Sequence, residues 1–353
     1  MRTRCLSFHA QYRCRHAGEC CRTGWEIEVD PQIVEAVHSG RVVPLRSTPE
    51  PFLRTTSSAP TVARTRTGEC GFHNHQRCSL QDAGSEPLLP SACRHFPRIF
   101  LRDGRGCFLT LSHFCPTAAS LLLGVAPVHV VDATRPLALD EPVEGLDARD
   151  ALPPLVRPGM LTDLEGYEAW EQAVIRVLLE APDAESALAR VEGATEVVRQ
   201  WSPAGGRLAG AVADAFLVGS PPAGPAPLSR PFTIVRELTG PHPLLHVPAR
   251  FDQQWASLRS AAAGVLREPV ARYLAASAFG NWIAYRAQGL RSIAAWLRAT
   301  HDVLRVQLVN HLGQARGRAE TPALIESFRA ADYIMVHTVD SLAFGRAAGC
   351  LER

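Results

Sequence analysis

Ten cysteines stand at positions 5, 14, 20, 21, 70, 78, 93, 107, 115 and 350, and nine of them fall within the first 115 of 353 residues. Four groups carry the pattern: Cys14-x5-Cys20-Cys21 followed by Trp25, then Cys70-Gly-Phe with Cys78-x-Leu, then Cys93-Arg-His-Phe-Pro, then Cys115-Pro. Thiolates are soft, polarizable donors that suit zinc and iron–sulfur clusters. Crowding of cysteine at one end of a long chain argues for metal or redox chemistry over disulfides. We therefore expect Cys14, Cys20, Cys21, Cys70, Cys78, Cys93 and Cys115 to be metal ligands. Cys115 sits just before a predicted helix, where the N-terminal amides stabilise a thiolate. Cys20 and Cys21 are adjacent and point in different directions, so they serve different metals or one of them bridges. Cys107 adjoins Phe108-Leu109-Thr110-Leu111 and reads as a strand core residue, while Cys5 and Cys350 read as incidental. His73, His75 and His95 lie inside the motifs and read as partners of the ligands more than as ligands.

Charge follows the same division. Residues 1–130 hold 15 Arg against 10 Asp and Glu, and the remainder holds 22 against 25, which leaves the chain at +2. A basic frame suits thiolates, because nearby Arg lowers thiol pKa and offsets the charge of a thiolate-rich site. So small a net charge is no global signature of nucleic-acid binding. All 37 basic residues are arginine, so no lysine of this chain is a Schiff base, a catalytic base or a self-modification target. The longest apolar stretch, near 121–131, is about half of a membrane span. Met1-Arg2-Thr3-Arg4-Cys5 lacks the apolar core of a signal peptide, and a cytoplasmic location is expected.

The elements that must hold these cysteines are short. Trp25-Glu26-Ile27-Glu28-Val29 alternates like a strand, residues 31–38 fit a helix, and 40–66 read as an arm. A knuckle is expected around Cys70 and Cys78, and residues 98–101 and 107–111 flank Asp103-Gly104 as strand, turn and strand. Cys115-Pro116-Thr117 opens an apolar helix. Residues 132–160 hold five prolines and read as a linker. Thr162-Asp163-Leu164-Glu165 fits a capping box, and Asp183 fits the cap of the next helix. Leu290, Ile293, Leu297, Leu304, Leu308 and Leu312 form one helical stripe, on which His301 reads as a core histidine. Thr321-Pro322 marks a further helix start. The expected fold is α+β. A cysteine-cluster domain of loops and strands (1–131) is joined by the linker (132–160) to a larger α-helical domain (161–353) packed on it.

Cys14…Gly18-Glu19-Cys20-Cys21-Arg22, Cys70, Cys78 and Cys93-Arg-x-Phe-Pro together resemble the YkgJ-type cysteine-cluster family, a zinc- or iron-chelating domain. The order Cys-Cys-x3-Trp-x-Ile, Cys-x-Phe, Cys-Arg-x-Phe-Pro-Arg and Cys-Pro-x-Ala-Ala resembles more closely the flagellin lysine-N-methylase family, over about residues 8–120. That resemblance implies a 4Fe–4S cluster, S-adenosylmethionine as methyl donor and lysine amines of flagellin as acceptors. The family pattern is Cys-x-x-Cys-x-x-Cys-Cys, and Ala17 stands here at its second cysteine. Either His16 replaces that thiolate or the site uses fewer ligands. The alternatives to an enzyme are a structural zinc- or iron-binding protein and an electron-transfer or redox-sensing protein.

Methyl transfer to an amine needs a bound donor and a group that orients the amine. No Gly-x-Gly-x-x-Gly loop follows a strand, so a doubly wound methyltransferase domain is not expected. His337 and Asp340, three apart, with Asp332 and Tyr333 upstream, are the polar groups of the helical part that stand out. Asn281 and Trp282 suit either a pocket wall or packing. No catalytic residue is assigned from the sequence.

Overall fold

The computed structural model describes residues 2–15, 18–23, 25–44, 50–54, 59–74, 77–82, 88–133, 144–217, 226–313 and 320–349. His16, Ala17, His75 and Cys350 lie outside them. The chain opens with strand β1 (Thr3–Leu6), and helix α1 (Pro31–His38) follows, with proline in its first turn, where a missing N–H costs nothing. Two small hairpins come next, β2 (Phe52–Arg54) with β3 (Pro60–Val62) and β4 (His73–Asn74) with β5 (Arg77–Cys78). Short helices α2 (Ser79–Asp82) and α3 (Ser91–His95) lead into β6 (Arg98–Asp103) and β7 (Gly106–Leu111). Helix α4 (Pro116–Leu121) begins directly after Cys115, its N-cap. The expected strand at Trp25–Val29 is reduced to one bridge, Glu28 to Thr61.

The main sheet has the order β8-β1-β7-β6-β9, where β8 is Val130–Asp132 and β9 is Gly145–Asp147. β1 runs parallel to β7 and β9 parallel to β6, while the β6–β7 hairpin is antiparallel. β6 and β7 each bury three successive residues, the mark of strands covered on both faces. Residues 144–160, read as part of a linker, thus supply a strand of this sheet and, with Leu161, a hairpin of β10 (Leu155–Arg157) and β11 (Met160–Leu161).

Gly145 makes the β9 pairing possible. Its φ is +138°, and a Cβ there would lie 1.9 Å from the Phe100 carbonyl oxygen. Gly145→Ala is expected to cost about 1–3 kcal/mol, the range of a forced backbone conformation. Urea unfolding checks it, and a loss under about 0.5 kcal/mol, the usual scatter of surface substitutions, would show that β9 contributes little.

The helices follow: α5 (Leu164–Glu180), α6 (Ala184–Val198), α7 (Leu208–Leu217), α8 (Arg230–Thr239), α9 (Phe251–Ala278), α10 (Leu290–Leu312), α11 (Thr321–Asp332) and α12 (Ser341–Gly349). Among the described residues beyond 161 no strand occurs. Asp163, one residue beyond the expected cap, accepts the Gly166 amide at 2.6 Å to start α5, and Asp183 caps α6 as its spacing predicts. Glu320, not Thr321, precedes α11. The leucine stripe of α10 is buried throughout, and His301 beside it is buried against Glu185. One apolar core runs from Leu6, Phe8, Leu101 and Phe108 of the sheet region to Tyr167, Trp170 and Tyr273 of the helices. A second, smaller core of Ile27, Ile33, Phe72 and Leu80 lies under the cysteine loops. The fold is therefore mixed α and β, with a small sheet joined to a larger set of helices.

Candidate functional site

Cys14, Cys20, Cys21, Cys70, Cys78, Cys93 and Cys115 all line one cavity of about 600 Å³. Local backbone geometry places them. Gly18 has φ +74° and opens the 3-10 turn Glu19–Cys21, and a Cβ at Gly18 would lie 2.6 Å from His73 Nε2. Only glycine fits that approach, which brings the Cys20-Cys21 turn against the Cys70 loop. The Cys70 amide donates to the Cys21 carbonyl at 2.7 Å, and Arg64 donates to the carbonyls of Cys21 and Trp25. Cys78 ends β5, beneath the amides of Leu80 and Gln81, and Cys93 sits within α3. From the helical part, Arg329 of α11 reaches the Glu19 carboxylate at 3.0 Å and the Phe114 carbonyl at 2.9 Å, clasping the cysteine loop to the start of α4.

The thiols form two groups. Cys21 hydrogen-bonds with Cys20 and Cys70, and the charges of Cys20 and Cys70 bear on both Cys78 and Cys93. Cys14 and Cys115 bear on one another at the other side, where the Tyr12 hydroxyl lies 3.8 Å from Cys115 Sγ. Cys70 is lowered to about 7, chiefly by the hydrogen bond from Cys21, with the Phe72 amide and Arg64 adding to it against burial. Burial pushes Cys78 up to about 11 and Cys93 well above the ordinary thiol value. Arg13, Arg94 and Arg98 also line the cavity, against the single acid Glu19. These arginines offset the charge of a thiolate-rich group, while burial by itself keeps Cys78 and Cys93 protonated.

Among the described residues no group of three or more His, Cys, Asp or Glu side chains is set closely enough to hold a single metal ion. The seven cysteines share the wall of one cavity. Cys107 is buried in β7, and Cys5, read from the sequence as incidental, is buried on β1, where it pairs with Leu109. His73 and His95 are buried but do not line the cavity, whereas His9 and Tyr12, which the motifs did not flag, do.

A second cavity of about 400 Å³ shares Cys20, Ile27, Cys93 and Phe96 with the first and adds Trp25, Glu26, Ala92, Glu144 and His337. Here the helical part contributes a side chain. After α11 the helix widens into a π-helical segment, Tyr333–Thr338, in which residues five apart are linked, as in the bond from the Val339 amide to the Ile334 carbonyl at 2.9 Å. That widening turns Asp332 and His337, five apart, toward the same group. Ser112 Oγ donates to Asp332 Oδ2 at 2.7 Å and lies 2.8 Å from His337 Nε2. The Phe114 amide adds a bond to Asp332 Oδ2 at 3.0 Å. Asp340, expected to share a face with His337, instead accepts the amides of Leu342 and Ala343 at the start of α12. Asn281 bonds to the Ser277 carbonyl and the Ile283 amide, which makes it a structural cap.

No helix among the described residues is long and apolar enough to cross a membrane. No protein-family model, no curated protein and no solved structure matches the chain.

Proposed function

We propose that this chain is a cysteine-ligated metalloprotein whose seven-thiol cavity holds an iron–sulfur cluster. The observation that supports it is the lining of one cavity by seven cysteines drawn from four separate segments. A single tetrahedral zinc would need sulfurs roughly 3.5–4 Å apart, given a Zn–S distance near 2.3 Å. Thiols spread around some 600 Å³ suit a larger, polynuclear group better. Cys20, Cys21, Cys70, Cys78 and Cys93 are the group from which the thiolates of the cluster, at most four, would come, with Cys14 and Cys115 on the facing wall. When bound, such a cluster supplies one-electron redox chemistry and, at any iron without a thiolate, a Lewis-acidic position. The chain's own part is to neutralise charge through Arg13, Arg94 and Arg98 and to enclose the group. The resemblance extends this reading to methyl transfer from S-adenosylmethionine to lysine amines of a protein such as flagellin. Lysine is absent from this chain, so methyl-lysine found in an assay comes from the partner protein.

Anaerobic purification with iron, sulfide and zinc analysis tests the reading. A brown protein with iron and acid-labile sulfide, bleached by reduction, is expected. A colourless protein with stoichiometric zinc would replace it with a structural metal site. Binding should also be pH-dependent in a stated direction. Cys78 and Cys93 hold their protons at neutral pH, because burial raises both, so ligation must expel them. Affinity then falls as pH falls, by about ten-fold per pH unit for each proton released. Chelator competition between pH 8 and pH 6 reads that slope, and a flat profile would exclude these two thiols as ligands.

A further inference from the structure

The group of Cys20, Cys21, Cys70, Cys78 and Cys93 already offers more thiols than one iron–sulfur cluster takes. Cys14 and Cys115 line the same cavity and are left with no part in that centre. Their settings differ. Cys14 is exposed, between the exposed arginines Arg13 and Arg15. Cys115 is only 8% exposed, and its segment is fixed from the helical part. The Phe114 amide donates to Asp332 at 3.0 Å, and Arg329 donates to the Phe114 carbonyl at 2.9 Å. Burial disfavours charge on the Cys115 sulfur, and three donors oppose it: the amides of Ala118 and Thr117 and the Tyr12 hydroxyl, 3.8 Å from Sγ. Tyr12 stands two residues before Cys14, and the charge of Cys14 bears on both Tyr12 and Cys115. An exposed thiol and a sheltered one thus meet at one tyrosine.

That division of labour is what thiol–disulfide exchange needs. An accessible thiol attacks first, and a second thiol within reach resolves the mixed disulfide. The surroundings indicate the class of substrate. Arg13 and Arg98 line the cavity beside the pair, the Arg98 guanidinium lies 5.4 Å from the Tyr12 ring centroid, and the acid of that wall, Glu19, is engaged by Arg329. Such a mouth draws an anion.

We propose that Cys14 and Cys115 form a redox-active dithiol that reduces an anionic organic disulfide. Cys14 Sγ attacks one sulfur of the substrate, the substrate S–S bond breaks, and the first half leaves as a thiol. Cys115 Sγ then attacks Cys14 Sγ, the mixed disulfide breaks, and the second half leaves. The two electrons and two protons of the cysteine pair end on the two released thiols, and the pair is left as a disulfide. An external thiol reductant returns it to the starting state. Tyr12 is a positioning residue that holds Cys115 for the second step. Neither thiol belongs to the cluster group, so the proposal stands or falls apart from the metal reading.

The full chain, reduced and freed of reductant under anaerobic conditions, is incubated with glutathione disulfide and then digested with chymotrypsin without reduction for mass spectrometry. Release of both glutathione halves and a peptide pair linked through Cys14 and Cys115 are expected. Cys115→Ser should release one half and hold the other on Cys14, whereas Cys14→Ser should form neither species. Tyr12→Phe should leave the first step intact and slow the second by about 2- to 10-fold, the worth of one hydrogen bond, an effect that a purely structural role would not confine to one step. Glutathione disulfide should react at least about ten-fold faster than the cationic disulfide cystamine at low ionic strength, the lower end of electrostatic steering. Linked peptides or glutathione confined to the other cysteines would overturn the proposal. So would release of both halves by Cys115→Ser, or equal rates with cystamine. Cys14→Ser lies at an exposed position, and full release by that variant would overturn it even if Cys115→Ser fails to fold.

Discussion

Arg105→Met is expected to cost the fold about 3–5 kcal/mol, the loss typical of stripping one partner from a buried ionic group. Arg105 bridges Asp103 at 2.8 Å and Glu171 at 3.0 Å, and all three side chains are at most 3% exposed. Its guanidinium stacks between Phe108 and Tyr167, at 4.3 and 4.6 Å from the ring centroids. Tyr285 donates to Asp103 and the Gly280 amide to Glu171, so the group fastens the β6–β7 turn to α5 and to the segment after α9. Methionine fills much of the volume but strands two buried carboxylates. The pH dependence has a definite sign. Burial raises Glu171 above the ordinary carboxylate range even with Arg105 beside it, and removing the arginine raises it further. A group raised in the folded state favours folding when protonated, and that contribution is lost as pH rises through the folded pKa. The gap between wild type and variant should therefore be widest near pH 8 and narrow toward pH 5. Urea unfolding at both values measures it. A gap below about 1 kcal/mol, the worth of an exposed pair, or one that widens in acid, would mean that the arginine is not the keystone of this junction.

What could be read from the sequence was local. The β6–β7 hairpin announces itself by two apolar runs around Asp103-Gly104, and α1 and α6 by Pro31 and Asp183 at their starts. The cysteine groups point to one another by residue type alone. The parallel pairing of Thr3 with Cys107, about a hundred residues apart, leaves no local trace, which is why Cys5 reads as incidental although it is buried in the sheet. Residues 144–160 look like part of a linker because their prolines break periodicity, yet Gly145 lets three of them pair with β6. His337 was visible as a polar residue on an apolar helix, but with the wrong companion. A spacing of 3.6 residues per turn pairs it with Asp340, and only the π-helical widening pairs it with Asp332. His9 and Tyr12 belong to no motif and reach the cavity through tertiary packing alone.

Serine substitution should separate the two groups of thiols. Cys20→Ser, Cys70→Ser and Cys93→Ser are each expected to lower iron and sulfide content at least ten-fold, since even residues that merely orient a ligand cost about 10–100-fold in metal affinity. Cys70 should be the most damaging. Its thiol is lowered to about 7, and its amide bond to the Cys21 carbonyl already joins two of the cysteine loops. Cys14→Ser should cost less, because Cys14 is exposed and stands with Cys115 apart from the hydrogen-bonded group. Cys107→Ala is the control. It removes a buried sulfur from β7 that does not line the cavity, so it should lower thermal stability and leave metal content intact. Metal and sulfide analysis of the five variants, with circular dichroism to confirm folding, distinguishes the outcomes. Should Cys70→Ser hold its full complement while Cys14→Ser loses it, the centre belongs to the Cys14–Cys115 side and the assignment of its ligands is reversed. Were all the variants to match wild type in iron, sulfide and zinc, the cavity would be a cluster of reduced thiols. Its lowered Cys70 would then be a reactive nucleophile in its own right, detectable by its faster alkylation near pH 7 than that of the other cysteines.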